Sequence, residues 1–180
     1  MTEVLVRMAS DDADVEMARS LCREWYDWHW ENYPPDWPKK GDPDWLTDVK
    51  HPMDSDVFQE VLRDLPVRHK PPSGGILIAF LDGKPAGVVM YNEARPGVAE
   101  FHRMFVSVEA RGYGLGQRLL EAMFKQMIAD GYTQVFFSSV TFLTHAREMY
   151  RRAGFKDSPH PKGFPDAWRD RVYFMVHSLH

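Results

Sequence analysis

A glycine-rich turn between a predicted strand and a predicted helix constrains this chain of 180 residues more than any other feature. An apolar, strand-like run over residues 101–108 leads into glycines at every second position, Gly112, Gly114 and Gly116, and an amphipathic helix follows at once. A helix start presents unpaired N–H groups and the positive end of the helix dipole, and glycine lets a ligand approach the backbone without a Cβ in the way. The turn therefore predicts a site for a phosphate or pyrophosphate group.

Three phosphate-binding motifs use glycines in this way, and the neighbouring residues distinguish them. A P-loop is excluded because no Gly-Lys-Ser/Thr follows the glycines. The dinucleotide fingerprint requires G-x-G-x-x-G and an acidic residue after the next strand, whereas this chain reads G-x-G-x-G and its next strand ends in hydroxyl residues. The third pattern, Arg/Gln-x-x-Gly-x-Gly/Ala, is filled by Arg111, Gly114 and Gly116.

This third pattern resembles the pyrophosphate loop of the GNAT superfamily of acyl-CoA N-acyltransferases. A second segment supports the resemblance, because residues 146–155 fit the family's Ala-x-x-x-Tyr-x-x-x-Gly-Phe motif. The two motifs stand in the family's order and at its spacing, and the resemblance is specific over residues 88–155. One departure is Leu143, where many members carry an asparagine that contacts the pantetheine, so that polar contact would have to come from a residue such as Thr141.

The resemblance implies an α/β (α+β) fold with a mixed, largely antiparallel central sheet flanked by helices. In the family the cofactor lies in a V-shaped opening where two central strands splay apart. The residue patterns predict a matching order: strand, two helices, three strands, helix, strand, helix and final strands. The expected strands are residues 4–8, 76–81, 87–91, 98–108, 133–140 and 171–177, and the expected helices run from residues 10–12 to before 32–35, and over 54–65, 115–128 and 145–153.

Composition limits the classes of function that the chain can have. Its length and its 44% apolar residues suit one domain over residues 1–180 with a single core. A formal net charge of −4 argues against nucleic acid as the main partner. No apolar run approaches the roughly 20 residues that span a bilayer, no signal-peptide pattern is present, and Cys22 is the only cysteine. We therefore expect a cytoplasmic monomer or homodimer without a membrane partner, and the scattered histidines predict no metal site.

The resemblance implies acetyl-CoA as co-substrate and suggests which residues hold it. In the family the pantetheine arm runs along the backbone of the strand before the turn, here Met104, Phe105 and Val106, where one N–H group polarises the thioester carbonyl. Ala146 is small, so its face of the helix can lie close to the cofactor. The pyrophosphate is expected on the turn and the first helical residues, namely Arg111, Gly112, Tyr113, Gly114, Leu115, Gly116 and Gln117.

Acetyl transfer to an amine also needs an acid for the leaving thiolate and a base for the ammonium. Tyr150 occupies the tyrosine of the second motif, and its phenol, with a reference pKa of about 10, can donate a proton at neutral pH. An alkylammonium with a pKa of about 10.4 is neutral only about 0.04% of the time at pH 7, so a base is required. Glu100 and His102 alternate onto one face of the strand before the turn and are the candidates, with a water relay as the alternative.

The acceptor side is expected at the end of the first helix, where aromatic residues crowd together. Trp30, Tyr33 and Trp37 are the candidate substrate-binding residues, and interspersed acids would favour an amine bearing an aromatic or cationic group. The alternative is that these rings pack a large core or a dimer contact. Residues 158–170, rich in proline and aromatic residues, are interpreted as a plain surface loop, and the alternative is that they wall the acceptor site, as the loop at this place often does in the family.

Together these features predict an N-acetyltransferase that moves the acetyl group of acetyl-CoA directly to a primary amine of a small molecule. Two alternatives remain open at this point. The first is a non-catalytic acyl-CoA-binding or sensing module on the same fold, against which Tyr150 argues. The second is a nucleotide-dependent oxidoreductase that uses the glycines differently. A fold by itself never decides between such functions.

Overall fold

The computed structural model describes residues 1–45 and 50–180, and its centre is a seven-stranded sheet in the order β1-β2-β3-β4-β5-β7-β6. Every pair of neighbouring strands is antiparallel except β4 and β5, which are parallel. The predicted mixed, largely antiparallel sheet is therefore confirmed. The strands are β1 (Val4–Met8), β2 (Gly74–Leu81), β3 (Lys84–Arg95), β4 (Val98–Val106), β5 (Gln134–Val140), β6 (Lys156–Ser158) and β7 (Val172–Ser178), and the helices are α1 (Asp12–Glu31), α2 (Ser55–Arg68), α3 (Leu115–Ala129) and α4 (Thr144–Arg152).

Local sequence explains where these elements begin and turn. The Asp11 carboxylate accepts a hydrogen bond from the backbone N–H of Asp14 at 2.8 Å and so caps α1. The Asp82-Gly83 turn joins β2 to β3, and both residues have positive φ, 49° and 77°, as a tight hairpin requires. Two predicted strands had wrong boundaries. The strand expected over residues 98–108 ends at Val106 and is followed by a short 3₁₀ turn, Val108–Ala110, and the strand expected over residues 87–91 extends over Lys84–Arg95.

The helices cover the two faces of the sheet in pairs. On one face, α1 and α2 bury an apolar cluster that includes Leu21, Leu65 and Met90. On the other face, α3 and α4 bury a larger cluster that includes Leu119, Phe137 and Tyr150. Successive side chains of β4 and β5 point to opposite faces of the sheet, so alternate residues of each strand face α1 and α2 or α3 and α4.

The central strands β4 and β5 are paired over a short distance only. Their register contains three residue pairs, Val98 with Gln134, Ala99 with Val135 and Glu100 with Phe136. Beyond Glu100 the two strands separate, which confirms the predicted V-shaped opening. We call this short paired segment the β4–β5 seam.

A bulge in β4 lies at the edge of the opening. Val88 pairs with Phe105 and Met90 pairs with His102, so one residue of β3 faces two residues of β4. Arg103, one of those two, has φ = 51°, in the left-handed region that residues other than glycine seldom occupy. Bulges of this kind redirect backbone groups and are frequent next to active sites.

In the described residues, no helix is both long and apolar enough to cross a membrane.

Candidate active site

The opening between β4 and β5 leads into a cavity of about 400 Å³. Both helical layers and three loops contribute to its walls, so the cavity passes through the plane of the sheet. Its lining residues are Trp25, His29, Tyr33, Trp37, Lys50, His51, Pro52, Met53, Glu100, Phe101, His102, Arg103, Met104, Phe137, Ser138, Ser139, Val140, Phe142, Leu143, Ala146, Tyr150, Phe164, Trp168 and Val172. Volumes of this size are typical of small-molecule sites.

The start of α3 presents backbone donors that no side chain of the described residues uses. Gly114 is the N-cap of the helix, has φ = 76° and makes no side-chain capping hydrogen bond. The first helical bond runs from the Arg118 N–H to the Gly114 carbonyl, so the N–H groups of Leu115, Gly116 and Gln117 lie before the helical hydrogen-bond ladder. The first turn carries no acidic residue. This helix start is therefore suited to an anionic group.

The three glycines of the turn have two different structural roles. A Cβ at Gly112 or Gly114 would meet no atom of residues 1–45 or 50–180 within 4 Å, so among these residues the space in front of both glycines is open. A Cβ at Gly116 would lie 2.9 Å from the Met149 Sδ atom. Gly116 thus lets α3 and α4 approach each other, while the other two glycines keep the approach to the helix start clear.

The remaining residues of the expected cofactor site lie around the turn and along the opening. The Arg111 Nε–H donates to the Val106 carbonyl at 3.3 Å, and the guanidinium carbon lies 4.8 Å from the Trp28 ring centroid. Tyr113 is half exposed on the turn. Met104 and Ala146 line the cavity, whereas Phe105 is buried with the α1 and α2 cluster.

Tyr150 lies on the α4 side of the cavity and is only 4% exposed. Its ring centroid lies 4.4 Å from that of Phe137 and 5.7 Å from that of Phe101, so aromatic neighbours fix its position. Burial raises the pKa of Tyr150 well above its usual value, because the phenolate would lose its solvation. The phenol therefore stays protonated at physiological pH.

Glu100 and His102 lie on the opposite side of the opening, under α1 and α2. The Glu100 Oε2 atom lies 3.9 Å from His102 Nε2, and both side chains are 30% exposed. Loss of solvation raises the pKa of Glu100 and lowers the pKa of His102 to about 3. His102 Nε2 is 2.8 Å from Asn92 Oδ1, which fits an N–H donor to the amide oxygen. Of the two, the carboxylate has its pKa shifted towards neutrality, where a base is most effective.

Two of the three aromatic residues expected on the acceptor side line the cavity. Tyr33 and Trp37 line the cavity, whereas Trp30 lies beside it, with its ring 4.9 Å from Tyr33 and 6.4 Å from Trp45.

The interpretation of residues 158–170 as a plain surface loop was wrong. Phe164 and Trp168 from this segment line the cavity, and Trp168 is 4% exposed with its indole N–H bonded to the Asp44 carbonyl at 2.9 Å.

Two buried histidines of the cavity wall were not found from the sequence. His29 and His51 are each 7% exposed, and burial lowers the pKa of each to about 4. His29 follows Trp25 by one helical turn and could have been placed on the same face as that residue. His51 lies in a loop without periodicity, and no local signal predicts its position.

Within the described ranges, no three His, Cys, Asp or Glu residues are grouped as metal ligands.

Comparison with known sequences identifies a family. The sequence model of the acetyltransferase (GNAT) family matches residues 22–155. An uncharacterised N-acetyltransferase of Schizosaccharomyces pombe is 31% identical to this chain over 105 residues, which cover 56% of the chain and 64% of that protein. The match thus spans just under two thirds of the yeast protein.

Solved structures share the fold over nearly the whole chain. A GNAT-family acetyltransferase of Staphylococcus aureus Mu50 superposes with a TM-score of 0.72 at 14% identity and covers 99% of this chain and 100% of its own. The PaiA N-acetyltransferase of Thermoplasma acidophilum, determined in complex with coenzyme A, gives a TM-score of 0.67 at 15% identity over 98% of this chain and 99% of its own. At these identities the likeness concerns the fold alone.

Proposed function

The chain belongs to the GNAT acetyltransferase family, and we propose that it moves the acetyl group of acetyl-CoA directly to a primary amine of a small molecule. One observation carries this proposal. Tyr150 and Glu100, one with a protonated phenol and one with a carboxylate of raised pKa, line the same cavity from opposite sides of the opened sheet. Such a pair, with pKa values set by burial, provides an acid and a base across a reacting centre.

The residues of the proposed cofactor site fit the parts of acetyl-CoA. The N–H groups at the start of α3, together with Arg111, are suited to bind the pyrophosphate. Backbone of Met104 to Val106 lies along the opening, where β4 has left β5, and can pair with the amides of the pantetheine arm. The bulge at Arg103 turns backbone groups of β4 out of the regular ladder, next to the point where a thioester carbonyl would be polarised. Acetyl-CoA supplies the acetyl group as an activated thioester.

In the proposed reaction two side chains move protons. Glu100 takes a proton from the acceptor's ammonium group, which frees the nitrogen lone pair for attack on the carbonyl. Tyr150 gives its phenolic proton to the sulfur as the carbon–sulfur bond breaks. The attacking nitrogen loses its second proton when the amide forms, and a proton returned to the Tyr150 oxygen restores the phenol, so that the products are the amide and the coenzyme A thiol. The protein needs no covalent acyl-enzyme for this sequence, and Cys22 is buried away from the cavity lining. His102 is neutral and hydrogen-bonded to Asn92, and we propose that it orients Glu100.

A broad amine screen tests the proposal. The protein is incubated with acetyl-CoA and one amine at a time, and free coenzyme A thiol is measured. Thiol release that depends on the amine, with the acetylated amine identified by mass spectrometry, supports the transferase. Tight acetyl-CoA binding without turnover of any amine would favour the alternative, a binding or sensing module. The family assignment gives no support to an oxidoreductase.

Replacing Glu100 with glutamine is expected to remove the acidic limb of the pH profile of kcat. In the wild-type protein kcat should fall as the pH is lowered through the raised pKa of Glu100, because only the carboxylate form accepts a proton. Glutamine keeps the size of the side chain and cannot take the proton, so kcat should also fall by roughly 10²–10⁴ at neutral pH. The measurement is kcat at saturating acceptor from about pH 5 to 9, a range around the operating pH of a general base.

His102→Asn is the companion variant for this experiment. If Glu100 is the base, the acidic limb persists in His102→Asn with a shifted midpoint. A limb that persists in Glu100→Gln and disappears only in His102→Asn would assign the base to His102. Persistence of the limb in both variants would favour a water relay.

Three further properties belong to the same proposal. We propose one domain over residues 1–180, supported by the single sheet that β1 to β7 build. We propose a cytoplasmic protein, supported by its single, buried cysteine. Its state as monomer or homodimer is a prediction for light scattering.

A further inference from the structure

We propose that the acceptor carries its amine on a flat, uncharged aromatic group, which fills the ring-lined end of the cavity. This inference rests on the proposed acetyl transfer to an amine and specifies the acceptor class. We call this end the ring box, formed by His29, Tyr33, Trp37, His51, Phe142 and Trp168.

The rings of the box meet edge to face rather than in a closed stack. The Trp37 centroid lies 5.3 Å from that of Phe142 at 75°, and 6.0 Å from that of Trp168 at 88°. The His51 and Trp168 centroids are 4.9 Å apart at 61°. Because neighbouring rings of the box are nearly perpendicular, the cavity that they line is bounded by both ring faces and ring edges, and an aromatic group in that cavity can make offset-stacked and edge contacts with them.

The two histidines of the box are uncharged at physiological pH. Burial lowers the pKa of His29 and of His51 to about 4, so both rings are neutral at pH 7. His51 Nδ1 accepts from the Met53 N–H at 3.1 Å, which leaves the proton on Nε2 as a donor. His29 Nδ1 lies 2.6 Å from the Trp25 carbonyl and must carry its proton there, which leaves Nε2 as an acceptor. The two histidines therefore offer one donor and one acceptor without a charge.

The charges of the described lining residues favour an acceptor with a single ammonium group. Glu100 is the single carboxylate among the lining residues that the structure describes, and it lies on the β4 side. The other charged side chains of that lining are Arg103 and Lys50, and the Lys50 ammonium is paired with Glu60. Within the described lining, a second ammonium group on the acceptor would therefore meet neutral rings, the Arg103 guanidinium and an already paired lysine, without a free carboxylate to offset its desolvation. The lining thus disfavours polyamines and other polycations.

Matched acceptors test the inference on the wild-type protein. Steady-state kcat/KM is measured for 2-phenylethylamine, tryptamine, n-propylamine and spermidine, each with saturating acetyl-CoA. The two aromatic amines are expected to exceed n-propylamine and spermidine by about tenfold or more, which corresponds to about 1.4 kcal/mol. Equal or higher kcat/KM for spermidine or n-propylamine would overturn the inference.

Two variants with the same substitution locate the preference in the ring box. Phe142→Leu removes an aromatic wall, and the KM for 2-phenylethylamine is expected to rise about 5- to 20-fold, the size of lost ring contacts and area. The KM for n-propylamine and the affinity for acetyl-CoA should stay unchanged. Phe124→Leu is the control, because Phe124 is also partly buried but packs against Phe155 and His177, away from the cavity.

Failure of the inference is distinguishable from failure of the proposed function. If no amine is acetylated, the transferase proposal fails. If amines are acetylated without an aromatic preference, or if Phe142→Leu and Phe124→Leu shift KM equally, only the ring-box inference fails. Trp37→Leu, with thermal melting as a check on folding, repeats the test if Phe142→Leu does not fold.

Discussion

Replacing Tyr150 with phenylalanine is expected to lower kcat by roughly 10²–10⁴, the usual effect of losing a general acid. Phenylalanine keeps the ring, which packs against Phe101 and Phe137, and removes only the hydroxyl. The leaving thiolate must then take its proton from solvent, so the chemical step slows while the affinity for acetyl-CoA changes little. Single-turnover kinetics and calorimetric titration measure the two quantities separately.

Tyr173→Phe is the matched control for this substitution. Tyr173 is also 4% exposed, and its ring lies 6.2 Å from Phe137, but it does not line the cavity. Its kcat should stay near that of the wild type. A wild-type kcat in Tyr150→Phe would exclude Tyr150 as the acid, and an equal loss in Tyr173→Phe would indicate altered packing instead.

Replacing Gly114 with valine is expected to abolish measurable acetyl-CoA binding while the fold persists. The side chain would project into the space in front of the helix start, where the described part of the chain places no atom within 4 Å of the Cβ position. It would therefore occupy the place proposed for the pyrophosphate. The residue also has φ = 76°, so a branched side chain strains the backbone by about 1–2 kcal/mol. Calorimetric titration with acetyl-CoA measures the loss.

Gly83→Val separates the strain from the blocked site. Gly83 has φ = 77°, and a Cβ there would also meet no atom of the residues that the structure describes within 4 Å, but the residue lies in the β2–β3 hairpin. This variant should lose similar thermal stability and still bind acetyl-CoA normally. Equal affinities in the two glycine variants would contradict the pyrophosphate site at the α3 start.

Much of the fold could be predicted because its determinants are local. The Asp82-Gly83 turn, the helical spacing in α1 and the glycine turn before α3 each carry their own conformational signal. The bulge at Arg103 could not be predicted, since arginine has no preference for positive φ and the bulge arises from strand pairing. The short strand β6 could not be predicted either, because its three residues show no strand-like alternation and it forms by pairing with β7.

The residues of the candidate site also fall into two groups, those that belong to local sequence motifs and those that only tertiary packing brings together. Gly114, Ala146 and Tyr150 belong to sequence motifs, so their shared neighbourhood could be predicted from the family resemblance. His51 and Trp168 belong to loops far apart in the chain, and their rings meet only when the tertiary structure forms. The ring box forms only when distant parts of the chain pack together, and no short segment of the sequence contains all of its residues.

The β4–β5 seam has a thermodynamic consequence. Three residue pairs join a block of four strands, β1 to β4, to a block of three, β5 to β7, so few backbone hydrogen bonds cross the boundary. Cooperativity between the blocks then depends on side-chain packing and on whatever fills the opening. A ligand bound between the blocks, and not to the unfolded chain, adds RT ln(1 + [L]/Kd) to the free energy of unfolding. A ligand that contacts both blocks thus adds to the packing that already couples them, and we expect the loaded protein to unfold more nearly as one unit than the empty one.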